Sequence, residues 1–315
     1  MKQIAISCLC LLALASCSKG NEADATFRGI SHVAGDLYQV QDNNNTFTAF
    51  LVTPEGIILT DPINTETAIW LKAELKERFD LPVKYLIYSH SHDDHSSGAA
   101  VYDEAVIIGH ENVVAEFEIW DDISIDIDDF DGFDGDVDRL TEYRLNNPAV
   151  YPDITFSDQL SIELGGKTVE IIYLGRGHSD NLLAVHYPDE RAVLTVDLLW
   201  IDRVSFLDLP YTHYFPDLFD GLRIVEELDF DILLTGHGVH GSGDGATGVK
   251  DDVAEFREYF EALYVEVKKA MDQGMSKEEA VAAIDLPQYS HLGKYDDWFK
   301  LNVEGMYRHM AADYK

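Results

Sequence analysis

The string His90-Ser91-His92-Asp93-Asp94-His95 constrains this chain more than any other feature. It follows Val83–Tyr88, an apolar run that reads as a buried strand. A loop leaving a strand end is bound neither to strand alternation nor to one helical face. It can therefore turn His90, His92, Asp94 and His95 towards one point. Surface histidines on a hydrophilic loop are a poor account, because H-x-H-x-D-H arises by chance in about two such chains per thousand. Three later stretches repeat the pattern of an apolar strand with a ligand-type residue at its exit. Thr168–Leu174 runs into Gly175-Arg176-Gly177-His178, Arg191–Val196 ends at Asp197, and Ile232–Leu234 leads to Thr235-Gly236-His237-Gly238. Glycines flank two of these exits, where they let the backbone approach a metal or substrate closely.

Strand-like and helix-like runs alternate through the first 235 residues. Asp36–Gln41 and Thr46–Thr53 are strands around an Asp42-Asn43-Asn44-Asn45 turn, and Ile57–Thr60 is a buried strand ending in Asp61-Pro62. Thr65–Phe79 has helical spacing, Ala105–Ile108 is a further strand, and Leu160–Leu164 and Leu182–Tyr187 join the later strand series. Pro216–Leu228 reads as a helix. Beyond residue 245 the composition turns helical: Lys250–Met271 is amphipathic, Ser276 and Glu279 form a capping box, and Asp297–Met310 is a last helix. Residues 30–245 are thus read as the main domain, with 110–151 as an acidic insertion and 246–315 as a helical extension.

The chain resembles the metallo-β-lactamase superfamily, in its dinuclear hydrolase branch, across roughly residues 30–240. The resemblance rests on the order Asp61, His90/His92/Asp94/His95, His178, Asp197, His237. It implies an α/β fold, the αβ/βα four-layer sandwich, with the metals along one edge. It further implies that His90, His92 and His178 hold one divalent ion, that Asp94, His95 and His237 hold a second, and that Asp197 bridges them. Imidazole and carboxylate without a core thiolate suit Zn2+, with Fe2+ or Mn2+ as alternatives. Two such ions make a nucleophile from water at neutral pH. Asp94 and Asp197 are then the catalytic carboxylates, Asp94 orienting the nucleophile and shuttling its proton. Asp61 reads equally as an acceptor fixing a ligand histidine or as a helix-capping Asp ahead of Asn64.

Departures from the family narrow the expected activity. β-Lactamase branches usually carry Cys or Ser where Asp197 stands; an Asp there resembles thioesterases, lactonases and phosphodiesterases. A His at position 92, rather than Glu, argues against the redox branch. The expected substrate is a small ester, lactone, thioester or β-lactam. A small-molecule phosphodiesterase and a metal- or ligand-capturing protein without turnover are the competing readings. Tyr211, His213 and Tyr214, one loop beyond Asp197, are read as lining a substrate pocket. The Asp-rich segment 121–138 lacks an EF-hand's turn glycine and bidentate Glu, since Arg139 and Leu145 stand there. It reads as a solvated loop or lid edge in preference to a calcium site, and the sequence does not decide between them.

The N-terminus carries a separate signal. Lys2 is followed by an uncharged run from Ile4 to Ala15, too short to span a bilayer, and Leu14-Ala15-Ser16-Cys17 resembles a bacterial lipobox. Residues 1–16 are then a signal peptide, Cys17 is the lipidation site, and 17–29 form a tether. All three cysteines lie in this segment, so no intramolecular disulfide supports the mature protein. The expected location is the cell envelope, lipid-anchored, on the outer-membrane or periplasmic side. Contact with a membrane is then through the lipid alone. The 58 acidic residues against 23 basic ones give a net charge of −35, which repels phosphate backbones and excludes nucleic acid as a partner. Oligomeric state is not legible in the sequence.

Overall fold

A computed structural model of the chain describes residues 28–43, 45–121, 145–212, 214–238 and 247–313. The expectations for residues 1–27 including Cys17, for the Asp-rich stretch beyond residue 121, and for His213 lie outside the described residues.

Two β-sheets face each other. In the first, β1 (Gly29–Ala34), β2 (Leu37–Gln41), β3 (Phe47–Thr53), β4 (Gly56–Thr60), β5 (Val83–Ile87), β6 (Val106–His110) and β7 (Ile154–Phe156) lie in chain order. β1 to β4 pair antiparallel, whereas β4 to β7 pair parallel. Between its strands run the helices α1 (Thr65–Phe79), α2 (Asp93–Ser96) and α3 (Val113–Asp121). The second sheet contains β8 (Gln159–Leu164), β9 (Lys167–Tyr173), β10 (Leu183–Tyr187), β11 (Ala192–Thr195), β12 (Ile232–Thr235) and β13 (Thr247–Gly248). Its order is β13-β12-β11-β10-β9-β8. β11 and β12 pair parallel, joined through the crossover helix α4 (Phe215–Glu227).

Side-chain alternation explains the layering. Successive residues of a strand point to opposite faces. Ile58 of β4 enters the core between the sheets, with Leu37, Leu51, Ile87 and, from the other sheet, Val169 and Leu183. Its neighbours Ile57 and Leu59 turn outwards onto Ala68, Leu71 and Leu75. Those three lie on α1, which starts where the Asn64 side chain accepts the Thr67 N–H at 2.9 Å. A strand buried on both faces is mostly apolar, as β4 is, and its one polar side chain, Thr60, is hydrogen-bonded to the Tyr187 hydroxyl at 3.1 Å.

The second sheet is covered in the same way. Ala184, Val193 and Leu233 face outwards into one core with α4, α5 (Lys250–Asp272), α6 (Lys277–Ala283) and α7 (Tyr295–Asp313). The capping box at the start of α6 is complete: Ser276 Oγ accepts the Glu279 N–H, and Glu279 Oε2 accepts the Ser276 N–H at 2.8 Å. The architecture is the four-layer αβ/βα sandwich, with the C-terminal helices built into its outer layer. No described helix is long and apolar enough to cross a membrane.

Several elements differ from the sequence reading. β1, β7, β13 and α3 have no counterpart in it. The last helix starts at Tyr295, two residues early. Between β5 and β6 the string after His92 is not wholly loop. Asp93–Ser96 forms the single helical turn α2, where Ser96 Oγ donates to the His92 carbonyl at 2.9 Å.

Candidate metal centre

Strand direction brings the expected ligands to one edge. β4 and β5 are parallel, so Asp61 and the 90–95 string leave the first sheet at the same end. In the second sheet β9, β11 and β12 all run one way, and their exits carry His178, Asp197 and His237. The two edges are tied together by backbone hydrogen bonds from Leu183 to the Ser89 carbonyl, 2.8 Å, and from Phe47 to the Gly236 carbonyl, 2.7 Å.

The side chains converge in two groups, His90–His92–His178–Asp197 and Asp94–His95–His237. Within the first, His178 Nε2 lies 3.0 Å from His92 Nδ1 and 3.4 Å from Asp197 Oδ2, and His90 Nε2 is 3.7 Å from the same oxygen. Within the second, His95 Nε2 is 3.2 Å from His237 Nε2 and 3.4 Å from Asp94 Oδ2. Asp197 stands between the groups, with Oδ2 at 3.3 Å from His95 Nε2 and Oδ1 at 3.3 Å from His237 Nε2.

The backbone is under tension here. Asp61, Ile63 and Asp197 have φ of 46°, 63° and 59°, in the left-handed region that costs a non-glycine residue about 1–3 kcal/mol. For the β-branched Ile63 this is unusual, and its N–H is held by the His95 carbonyl at 3.0 Å. Gly236 is required by proximity: a Cβ there would lie 2.5 Å from Val196 Cγ1 and 3.3 Å from His95 Cε1.

Electrostatics separate the two groups. Burial, with neighbouring imidazoles, pushes His178 down to about 3 and His90 well below its ordinary value. Both present neutral nitrogens. Burial also disfavours charge on His95 and His237, but Asp94 and Asp197 outweigh it; His95 is held well above its usual value and His237 at about 9. The same histidines keep both carboxylates ionised, the buried Asp197 and the half-exposed Asp94.

This donor set fits divalent cations. His90 Nε2 is buried and makes no hydrogen bond, and buried Asp197 Oδ1 has only His237 Nε2 at 3.3 Å. A buried acceptor without a donor is costly; a cation at the convergence point satisfies it. Imidazole and carboxylate together, without thiolate, are borderline-to-hard ligands.

Asp61 is fully buried and accepts the Ser89 N–H at 2.7 Å and the Ser89 hydroxyl at 2.6 Å, with Oδ2 3.4 Å from His95 Nδ1. The helix cap is Asn64, so the capping role does not fall to Asp61. Tyr211 packs against both His92 and His178, with ring centroids at 5.5 and 5.7 Å. Tyr214 does not line the cleft. It is the residue before α4, and the Arg176 guanidinium lies 4.6 Å above its ring. Its backbone N–H donates to the Arg176 carbonyl at 3.0 Å, a pairing that a one-loop count from Asp197 does not reveal.

Above the metal-ligand groups opens a cleft of about 1440 Å³. Ile63, Ile69, Trp200, Phe206, Tyr211 and Trp298 give it apolar walls. Sequence reasoning missed three contributors. Ser89 carries Asp61. Asn181 clamps the 90–92 turn, accepting the Ser91 N–H at 2.8 Å and donating to Ser91 Oγ at 3.1 Å. Arg203 lies buried in the cleft wall. Its only sequence signal is an Arg between Trp200-Ile201 and Phe206 in a chain poor in basic residues.

A profile of the metallo-beta-lactamase superfamily matches residues 44–237. A linear primary-alkylsulfatase from Pseudomonas sp. (strain ATCC 19151) is 22% identical over 276 residues, covering 78% of this chain and 51% of its own length. The chain thus spans about half the length of that curated relative. Among solved structures, the stereoselective inverting sec-alkylsulfatase Pisa1 from Pseudomonas sp. has a TM-score of 0.67 at 16% identity, covering 89% of this chain and 50% of its own. A metallo-beta-lactamase family protein from Thermus thermophilus has a TM-score of 0.60 at 19% identity, covering 85% of this chain and 89% of its own. These structural likenesses concern the fold.

Proposed function

The chain belongs to the metallo-beta-lactamase superfamily, and from that premise we propose that it is a metal-dependent hydrolase that cleaves a small, partly apolar ester, lactone, thioester or β-lactam with two zinc ions. The observation carrying this reading is the convergence of both ligand groups on one carboxylate, Asp197, beneath an apolar-walled cleft. His90, His92, His178 and Asp197 would hold one ion, and Asp94, His95, His237 and Asp197 the other. Bound there, divalent ions supply Lewis acidity to the scissile oxygen and lower the pKa of water to near neutrality.

The chain's own residues do the remainder. The Asp94 side chain is 49% exposed, so one face of an ionised carboxylate meets the cleft. There it orients the attacking water and takes its proton. Asp61 Oδ2, 3.4 Å from His95 Nδ1, favours a proton on that nitrogen and so leaves Nε2 as the donor towards the centre. Tyr211 shields His92 and His178 from water, and the tryptophans of the cleft wall bind the apolar part of the substrate.

A second reading is supported by the alkylsulfatase likeness: the scissile bond is that of an alkyl sulfate ester. One panel separates the readings. Zinc-, manganese- and iron-loaded protein is assayed on lactones, thioesters, β-lactams, phosphodiesters and alkyl sulfates. The proposal expects about two metals per chain and turnover of a carboxyl-derived substrate, abolished in Asp197→Ala and His95→Ala. Folded protein that takes up no transition metal would overturn it, and turnover of alkyl sulfates alone transfers the assignment to the second reading. We further propose that Cys17 anchors the chain to the envelope, so that Cys17→Ala releases it from the membrane fraction.

A further inference from the structure

We infer that Arg203 is a specificity-determining residue that binds an oxyanion carried by the substrate, a carboxylate or a sulfate, in the wall of the cleft. The inference rests on the cleft being the substrate site, as proposed above. Arg203 is only 7% exposed and lines the cleft together with Asp197. Its guanidinium lies 5.8 Å from the Trp200 ring centre and 5.7 Å from that of Trp298. Among the described residues it makes no ion pair and no side-chain hydrogen bond. Every other arginine in the described structure has a carboxylate partner.

That isolation is physically expensive. A guanidinium cannot be neutralised at physiological pH, and burial lowers Arg203 only to about 10. Its five donors have no protein acceptor, and the little exposure it keeps is at the cleft that it lines. A buried cation normally has a counter-ion, and lacking one is destabilising. Two indole rings supply part of the compensation through their π faces. Contact with a ring face engages no N–H donor in a directed hydrogen bond, so the fork can still take a bidentate acceptor. Asp197, the anion that acts on Arg203 at longer range, is the carboxylate shared by both ligand groups. Its charge is engaged there.

The position is rigid. The Val204 N–H donates to the Gly293 carbonyl at 3.1 Å, and the Gly293 N–H donates to the Asp202 carbonyl at 2.7 Å. A Cβ at Gly293 would stand 3.3 Å from Arg203 Cβ, so the two segments are in close contact. Such a pinned planar fork recognises carboxylate or sulfate geometry. The acidic surface opposes anion approach, but that is a long-range effect that salt screens. It governs how fast an anion arrives, while the buried contact governs how long it stays.

Two measurements test this. The first is quenching of tryptophan fluorescence in metal-loaded protein, since Trp200 and Trp298 flank the site. Hexanoate, hexane-1-sulfonate and 1-hexanol are titrated into wild type and Arg203→Met. At least one anion should bind about 10-fold or more tightly to wild type than to the variant. The alcohol should bind both alike, and the better anion identifies the matching oxyanion. Equal anion affinity in wild type and R203M overturns the inference. The second is kinetics with two nitrophenyl esters of matched length, one neutral and one ending in carboxylate. R203M should lose about 10–100-fold in kcat/KM for the anionic ester and keep its rate on the neutral one, chiefly through KM. Equal losses on both esters would mean a structural role and overturn it.

Arg203→Lys retains the charge without the fork and should lie between wild type and R203M. If R203M does not fold, R203K carries the same comparison. Anion binding without turnover of any ester leaves this inference standing and removes the hydrolase reading. Turnover of neutral esters without Arg203-dependent anion binding does the reverse.

Discussion

At the scale of single residues, the site is governed by groups that touch no substrate. Asp61 is buried and spends both oxygens on Ser89 while facing His95 Nδ1. Asp61→Asn replaces a charge with a neutral amide and weakens the hold on that ring. Metal affinity, measured by chelator competition, should fall about 10–100-fold; unchanged affinity would show that His95 needs no such support. Gly236→Ala drives a Cβ into Val196 and His95, and metal content per chain should drop in an otherwise folded protein. The histidines also set a pH dependence. Metal-free His237 is raised from 6.5 to about 9, with burial opposed and outweighed by Asp197 and Asp94. A raised histidine contributes stability that is complete below its unfolded value and is lost as pH rises through the folded one. The melting gap between metal-free wild type and His237→Ala should therefore be widest near pH 6 and close towards pH 10; a gap that widens over that range contradicts the assignment.

At the scale of elements, the long regular segments were legible because burial on one face or both writes a clear period. α1 and β4 follow from their apolar spacing, and the start of α6 from the Ser276–Glu279 pair. β1 was not legible: His32 is exposed in it, and its conformation is set by pairing with β2. β7 is three residues long and takes its register from β6. The less visible dependence is between α7 and the cleft. Asn302 is fully buried, accepts the Tyr259 hydroxyl of α5 at 2.6 Å and donates to the carbonyls of Ser205 and Leu207 at 3.0 and 2.5 Å. Asn302→Ala leaves three buried polar groups unsatisfied and should cost about 2–4 kcal/mol in denaturant unfolding. Because it frees the segment that carries Phe206, it should also raise KM while metal content stays unchanged. A variant with wild-type stability would mean that water replaces the amide.

At the scale of the whole molecule, a net charge of −35 makes the folded chain repel itself. Added salt screens that repulsion, so melting temperature should rise between about 10 mM and 500 mM NaCl; a flat or falling response would mean that local ion pairs dominate. The sequence alone determined the chemistry available: histidines and aspartates at strand exits, no thiol after residue 17, and apolar periods sufficient for a layered α/β fold. These are local properties, since a strand exit or a helix cap is decided by neighbours along the chain. Only the tertiary structure decided which exits share an edge, that Asp61 braces His95 and does not cap α1, that Tyr211 but not Tyr214 meets the cleft, and that Arg203 is buried without a partner. Each of these depends on contacts between segments far apart in sequence, and on which polar groups are left unpaired once the layers have closed.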